Sequence, residues 1–288
     1  MSGADVGGKP LMPGPSERSC ATPAAGPGAP PPRLRVGAVL LAAGESRRMG
    51  GIDKRRLELD GEPLVRRWLR ILREAGIGDV VVVLGHRPEL VLPLVEGHGA
   101  AVVINPDHRR GQQSSVLAGL AALPAGIDAA MVALVDLALV DAQDLRVLVD
   151  AFADRPAGTS ALVPFFGGQR GNPVIVSAGV AARVLAAVEG GAPPQAAPNP
   201  RGETSSGGAS SGGASSGGAS SGGASSGGAS SGEDPAAGLR GYLQAHPREV
   251  CRHEAGSDHF TFDLDTPEDI VRLERRLGRP IGRPQPED

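Results

Sequence analysis

The sequence is poor in aromatic residues, with one Trp, one Tyr and five Phe among 288. Such a chain has few side chains on which exposed bases can stack, which argues against a single-strand nucleic-acid binder. Its core has to be aliphatic, built from Val, Leu, Ile and Ala. Net charge is also small, formally −3, so there is no global attraction to nucleic acid or to an anionic membrane. Cysteine is scarce. Cys20 and Cys251 lack the paired spacing of a metal site, and a reducing compartment is the simplest reading of their number. No run approaches the roughly 20 apolar residues of a membrane span. Residues 1–32 contain no apolar stretch of the signal-peptide kind, and the expected location is the cytoplasm. The six histidines show no metal-ligand spacing and suggest no role. No P-loop, G-x-G-x-x-G fingerprint or nucleophile elbow is present.

Glycine and proline, by contrast, are abundant, at 43 and 26 residues, which implies that part of the chain is not globular. Residues 1–33, rich in Gly, Pro, Ala and Ser and ending near Pro30-Pro31-Pro32, read as a disordered extension. Five copies of Ser-Ser-Gly-Gly-Ala run from Ser205 to Ala229 inside a biased segment, 190–234. The period is too short and the side chains too small for a solenoid, so the segment reads as a flexible insertion within one domain. Beyond Leu277 the chain is again Pro/Gly-rich and reads as a flexible tail, 278–288.

Between these segments strands and helices alternate. Apolar or β-branched runs at Val36–Leu41, Asp79–Leu84, Ala101–Ile104, Ala129–Val135 and Ser160–Pro164 read as buried strands. Helical spacing is clear over Pro63–Ala75, with Gly76 as a stop. Helices are also expected over Glu89–Glu96, Ser114–Leu123 (capped by Ser114 or Ser115), Asp141–Phe152, Ala178–Glu189, Pro235–Ala245 and Thr266–Leu277. Val174–Val176 reads as a strand outside the parallel order, and Glu249–Arg252 and His259–Asp263 as short strands. The pitch predicts an α/β fold of Rossmann-like, three-layer α/β/α type, with a mostly parallel sheet over residues 34–277.

The chain is organised around Val36–Arg56. Its strand ends in Ala42, Ala43 and Gly44, residues small enough for a backbone to approach a ligand closely. Between Gly44 and Arg56 the bases Arg47, Arg48, Lys54, Arg55 and Arg56 outnumber the acids Glu45 and Asp53, a net +3. A cationic, glycine-lined loop at the carboxyl end of a strand suits a polyphosphate, although a solvated basic loop would read the same way. Asp136 stands at the carboxyl edge of another buried strand, as a metal ligand or as a cap of the next turn. Asp263 and Asp265, two residues apart on an extended segment, can face one site. Their alternative is helix capping or plain exposure.

L-A-A-G-E-S-R-R-M-G followed by Asp53-Lys54 resembles the signature of the MobA/MocA-type nucleotidyltransferases. Gly111-Gln-Gln-Ser114-Ser115-Val-Leu-Ala-Gly-Leu120, Gln169-Arg170-Gly171-Asn172-Pro173 and Phe262-Asp263-Leu264-Asp265-Thr266-Pro267-Glu268-Asp269 are similar to further elements of that family. Where the family carries Asp-x-Pro-Leu, this chain has Asp136-Leu137-Ala138-Leu139, without the proline that stiffens the loop. The resemblance implies a nucleotide site at Leu41, Ala42, Ala43, Gly44, Ser46, Arg47, Arg48, Lys54, Ser114 and Ser115. It implies catalytic roles for Arg48, Lys54 and Asp136, an acceptor site at Arg170, Gly171 and Asn172, and Mg²⁺ held by Asp136 and Asp265, with Asp263 second. It further implies transfer of CMP from CTP to the phosphate of a molybdopterin-type cofactor with release of pyrophosphate, and a molybdoenzyme as recipient. The Ala42-Ala43-Gly44 spelling leans to CTP and Asp53-Lys54 also suits GTP. Transfer to a sugar phosphate, or a non-catalytic cofactor chaperone, are the other readings.

Overall fold

The computed structural model describes residues 18–20, 34–187 and 238–284. The insertion expected at 190–234, with its Ser-Ser-Gly-Gly-Ala repeats, lies outside them, as does most of the N-terminal extension.

The described chain runs β1 (Arg18–Cys20), β2 (Val36–Ala42), β3 (Glu58–Leu59), β4 (Glu62–Pro63), α1 (Leu64–Glu74), β5 (Asp79–Leu84), α2 (Leu92–Val95) and β6 (Ala101–Ile104). It continues with α3 (Gln112–Ala121), β7 (Ala129–Leu134), α4 (Ala142–Ala153), β8 (Ala161–Phe166), β9 (Gln169–Arg170), β10 (Val174–Ser177) and α5 (Ala178–Ala186). α6 (Gly238–Ala245), β11 (Val250–Glu254) and α7 (Pro267–Leu277) follow. The main sheet has the order β1-β11-β8-β10-β7-β2-β5-β6, with β9 folded onto β8. β10 is antiparallel to both neighbours and β9 to β8, and the remaining pairs are parallel.

β2 lies centrally because both of its faces are apolar. Ala38, Leu40 and Ala42 join the core beneath α1, α4 and α7, and Val39, Leu41 and Ala43 join the core beneath α3, α5 and α6. Alternation along a strand sends neighbours to opposite faces, so one strand supports both helical layers. α1 buries Leu64, Val65, Trp68, Leu69, Ile71 and Leu72, its i, i+4, i+8 face, and Gly76 at φ +86° ends it. α3 packs closest. A Cβ on Gly119 would stand 2.2 Å from Cγ1 of Val39, so glycine there sets the helix-to-sheet distance.

Several expectations are corrected. His259–Asp263 is no strand: Asp258–Phe260 is a short 3-10 turn and an irregular segment follows. Glu89–Glu96 is broken into a 3-10 turn at Pro88–Leu90 and the short α2. Arg18–Cys20, within the extension expected to be disordered, pairs with β11. The tail beyond Leu277 folds back as far as residue 284, where Gly282 and Glu58 exchange backbone hydrogen bonds at 2.9 Å and Ile281 is buried. Cys251 is buried. Among the described residues no helix is long and apolar enough to cross a membrane.

Candidate active site

The loop after β2 is held in shape by an ion pair that its own sequence supplies. Asp53 caps the 3-10 turn Lys54–Arg56, and its carboxylate accepts from the backbone N–H of Arg55, from Nε at 2.8 Å and from Nη2 at 2.5 Å. The guanidinium, 1% exposed, also donates to the carbonyls of Ala42 at 3.1 Å and His86 at 2.7 Å. Arg55 therefore joins the ends of β2 and β5 from inside. Five donors in a fixed fork suit this task. In the sequence Arg55 reads as one cation of the loop, and only the Asp-x-Arg spacing hints at its inward role. Ser46 and Gly50 adopt left-handed conformations, φ +50° and +62°, which turn the chain around the intervening 3-10 turn. Ser46 Oγ accepts from the backbone N–H of Lys54 at 3.3 Å.

Inside this frame Lys54 projects between two carboxylates. Its ammonium donates to Asp136 Oδ2 and, at 3.2 Å, to Asp265 Oδ1. Arg48 donates to the other oxygen of Asp265 at 2.5 Å. Burial presses Lys54 toward the neutral amine, but Asp136 and Asp265 outweigh it and its pKa is raised. Asp263 stands close enough to feel the same charges. Burial first, then Asp265 and Asp136, raise its pKa. Asp136 is 8% exposed, and its Oδ1 is buried without a hydrogen-bond partner. The irregular segment is fixed here by single bonds: Leu264 N–H donates to Asp136 O at 3.1 Å, and the Asp269 carboxylate accepts from the backbone of Asp265 and Thr266. Asp269 is also the N3 member of the Thr266 capping box.

A cleft of about 330 Å³ opens beside Arg48, Lys54 and Asp265, and Asp136 and Asp263 are not in its lining. Ala43, Gly44, Ser46, Arg47, Arg48, Lys54 and Asp265 are among its lining residues, with Glu45, His108 and Arg109. Leu41 and Ala42 lie behind it, buried in the sheet. Ser114 and Ser115 do not line it and do not cap α3, whose N-cap is Gly111. They sit within the first turn, where Ser114 Oγ donates to the Gly111 carbonyl at 2.8 Å and both hydroxyls accept from the Asn105 amide. These bonds fix the turn after β6. Arg170, Gly171 and Asn172 lie on the β8–β9 arm, outside the cleft. Gly171 abuts Phe260, where a Cβ would meet the Phe260 carbonyl oxygen at 2.5 Å, and Asn172 N–H donates to that oxygen at 2.9 Å. The arm is thus tied to the segment carrying Asp263.

The loop's cations are compensated. Arg47 pairs with Glu45 at 2.6 Å, and Arg109 reaches the same carboxylate at 3.2 Å. Arg47 leads in holding the Glu45 carboxyl down to about 2, against burial and with help from Arg109. His86 and His108, which suggested no role in the sequence, come together with Glu45. One ligand atom from each lies within 4.8 Å of the others, and among the described residues this is the triad of His, Cys, Asp or Glu so gathered, rather than the three aspartates. Glu45, His86 and His108 follow β2, β5 and β6, three adjacent parallel strands. That adjacency brings them together.

Residues 38–197 match the model of a family described as "MobA-like NTP transferase domain". The chain is similar to a molybdenum cofactor guanylyltransferase of Cereibacter sphaeroides, 36% identical over 108 residues, 37% of this chain and 53% of that protein. It is 33% identical over 160 residues to a nicotine blue oxidoreductase of Paenarthrobacter nicotinovorans, covering 54% of this chain and 78% of that protein. It spans 24% and 28% of the length of two larger bifunctional relatives. A nucleotidyl transferase structure from Methanothermobacter thermautotroptrophicus superposes with a TM-score of 0.57 at 18% identity, over 84% of this chain and 97% of that one. At that identity the likeness is one of fold.

Proposed function

Because the chain belongs to the MobA-like NTP transferase domain family, we propose that it is a nucleotidyltransferase that moves CMP from CTP to the phosphate of a molybdopterin-type cofactor. The observation that carries this reading is the Lys54 ammonium held between Asp136 and Asp265 beneath the loop after β2. A phosphate monoester is already an anion. Its oxygen attacks the α-phosphorus, the bond from that phosphorus to the bridging oxygen breaks, and pyrophosphate leaves. No base is needed in principle, so the protein's work is alignment and charge neutralisation.

Lys54 and Arg48 supply positive charge at the cleft, and the turn set by Ser46 and Gly50 supplies the small-residue wall. The donor set fits a hard divalent cation. Asp136 keeps a buried, unpartnered oxygen, Asp265 is joined to it through Lys54, and Asp263 feels the charge of both. Asp136, Asp265 and Asp263 would hold Mg²⁺, which when bound neutralises developing charge on the phosphate oxygens. Arg170, Gly171 and Asn172 serve the acceptor side. Their tie to Phe260 gives the arm and the aspartate segment a common support. Ala42-Ala43-Gly44 favours CTP over GTP.

The Cereibacter relative's name supports the molybdenum cofactor as acceptor and guanylyl transfer from GTP as the alternative to CTP. The Paenarthrobacter relative's name, that of an oxidoreductase, supports a different reading. A matrix of each NTP against molybdopterin cofactor and sugar phosphates, with Mg²⁺ and pyrophosphate detection, separates them. Release with CTP and molybdopterin cofactor supports the proposal. Release with GTP or a sugar phosphate reassigns the substrate, and no release with any pair leaves a cofactor-binding or redox role.

A further inference from the structure

We propose that Glu45, His86 and His108 form a binding site for a borderline transition cation of the Zn²⁺ class, separate from the aspartate cluster. The His108 ring provides the first argument. Its Nδ1 lies 3.2 Å from the Asn105 carbonyl oxygen. A carbonyl oxygen only accepts, so Nδ1–H is the donor, and the neutral ring then presents its lone pair at Nε2. That Nε2 is buried and has no hydrogen-bond partner. A ring nitrogen donating to a backbone carbonyl, with the other nitrogen's lone pair left open, is the arrangement that orients a metal-binding histidine.

The second argument is where that lone pair lies. Glu45 Oε1 is 3.7 Å from His108 Nε2, too long for a hydrogen bond, and a ligand atom of His86 completes a group within 4.8 Å. Zinc ligands stand about 2.0–2.2 Å from the ion, so closing the group takes only small side-chain rotations. The backbone is built for the approach. A Cβ on Gly85 would stand 2.6 Å from Cβ of His108 and 2.9 Å from Cβ of Ala43, so the chain carries glycine where His108 packs between the ends of β2 and β5.

The donor types select the metal. Two imidazoles and one carboxylate suit Zn²⁺ and its neighbours, whereas Mg²⁺ prefers oxygens. Three protein ligands leave an open position on the ion. Glu45 lines both clefts, with His108 in the one of about 330 Å³ and with His86 in a second of about 660 Å³. The ion therefore belongs in the wall between the two. Arg109 competes for Glu45 Oε1 at 3.2 Å, but its side chain is 74% exposed, and such a pair costs little to exchange.

The test is Zn²⁺ titration by calorimetry in excess Mg²⁺, which occupies carboxylate sites, with Co²⁺ absorption as a second reading of imidazole coordination. The full chain is expected to take up one Zn²⁺ and to give a low-symmetry Co²⁺ spectrum. His108→Ala and His86→Ala are each expected to weaken Zn²⁺ by at least ~100-fold, the upper end of what losing an outer partner costs. Should His108→Ala fail to fold, His86→Ala decides alone. No Zn²⁺ uptake by the wild-type chain, or uptake unchanged in His86→Ala, overturns the proposal.

Discussion

Lys54 and Asp136 come from loops 82 residues apart, yet the ammonium donates directly to the Asp136 carboxylate, and both side chains are largely buried, at 15% and 12% exposure. Removing one partner leaves the other charge desolvated and unpaired. Lys54→Ala is therefore expected to lower both triphosphate affinity and stability, with the affinity falling about ten- to a hundred-fold for one lost charge-assisted hydrogen bond. Arg48, 70% exposed, has solvent as a substitute. Arg48→Ala should weaken nucleotide binding less and leave the melting temperature nearly unchanged. Nucleotide titration and thermal melts of both variants measure the difference.

Asp136→Asn and Asp265→Asn should each reduce turnover far more than nucleotide affinity, because charge develops in the transition state. The two carboxylates share Lys54, so the double variant should be little worse than either single one. Single-turnover rates of the two single variants and the double variant test this. Additive losses would mean that the aspartates act independently.

Gly171→Ala is expected to destabilise the protein by ~1–3 kcal/mol, the usual cost of forcing an extra methyl into a packed site. The new Cβ would sit 2.5 Å from a backbone carbonyl, that of Phe260, which cannot swing aside like a side chain. Because Phe260 leads into the aspartate segment, activity should fall as well. Urea unfolding and turnover on one preparation would read both effects. A shift in neither would detach the β8–β9 arm from the site.

Acid should weaken the packing of α5 and α6 against β8. The Ser160 hydroxyl donates to the Glu249 carboxylate at 2.6 Å and holds its pKa low, burial opposes, and Tyr242 and Arg183 add to the lowering. A depressed folded-state pKa contributes stability that is present above the unfolded value, near 4.5, and is lost as pH falls through the folded one. Glu249→Gln should therefore melt lower than the wild-type chain at neutral pH, and the gap should close below pH ~4.5. A gap that does not change with pH would remove the charge from this account.

Much of the sheet was legible because apolar runs such as Asp79–Leu84 have no other use, and α1 because Trp68, Leu72 and their neighbours repeat at helical spacing. His259–Asp263 reads as a strand in the sequence but is a 3-10 turn running into an irregular segment. Its alternation is real, but its backbone partners are isolated groups, Phe260 O with Asn172 and Leu264 N–H with Asp136, rather than a ladder. The Lys54 and aspartate cluster was legible through resemblance, since nothing local ties Asp265 to Lys54. Ser114 and Ser115 were expected to cap α3, whose N-cap is Gly111, because a serine in the first helical turn can serve the loop behind it instead of the helix end. Glu45, His86 and His108 were invisible, because their proximity depends on the β2–β5–β6 order, which no local pattern encodes.

The proposed role of the Lys54, Asp136 and Asp265 cluster is support of nucleotidyl transfer. Its most direct test is pyrophosphate release from CTP and molybdopterin cofactor with Mg²⁺, by the wild-type chain and by Asp136→Asn at saturating nucleotide. The account expects CTP-dependent release by the wild-type chain, abolished by EDTA and reduced by orders of magnitude in Asp136→Asn. Equal release by both proteins would contradict it.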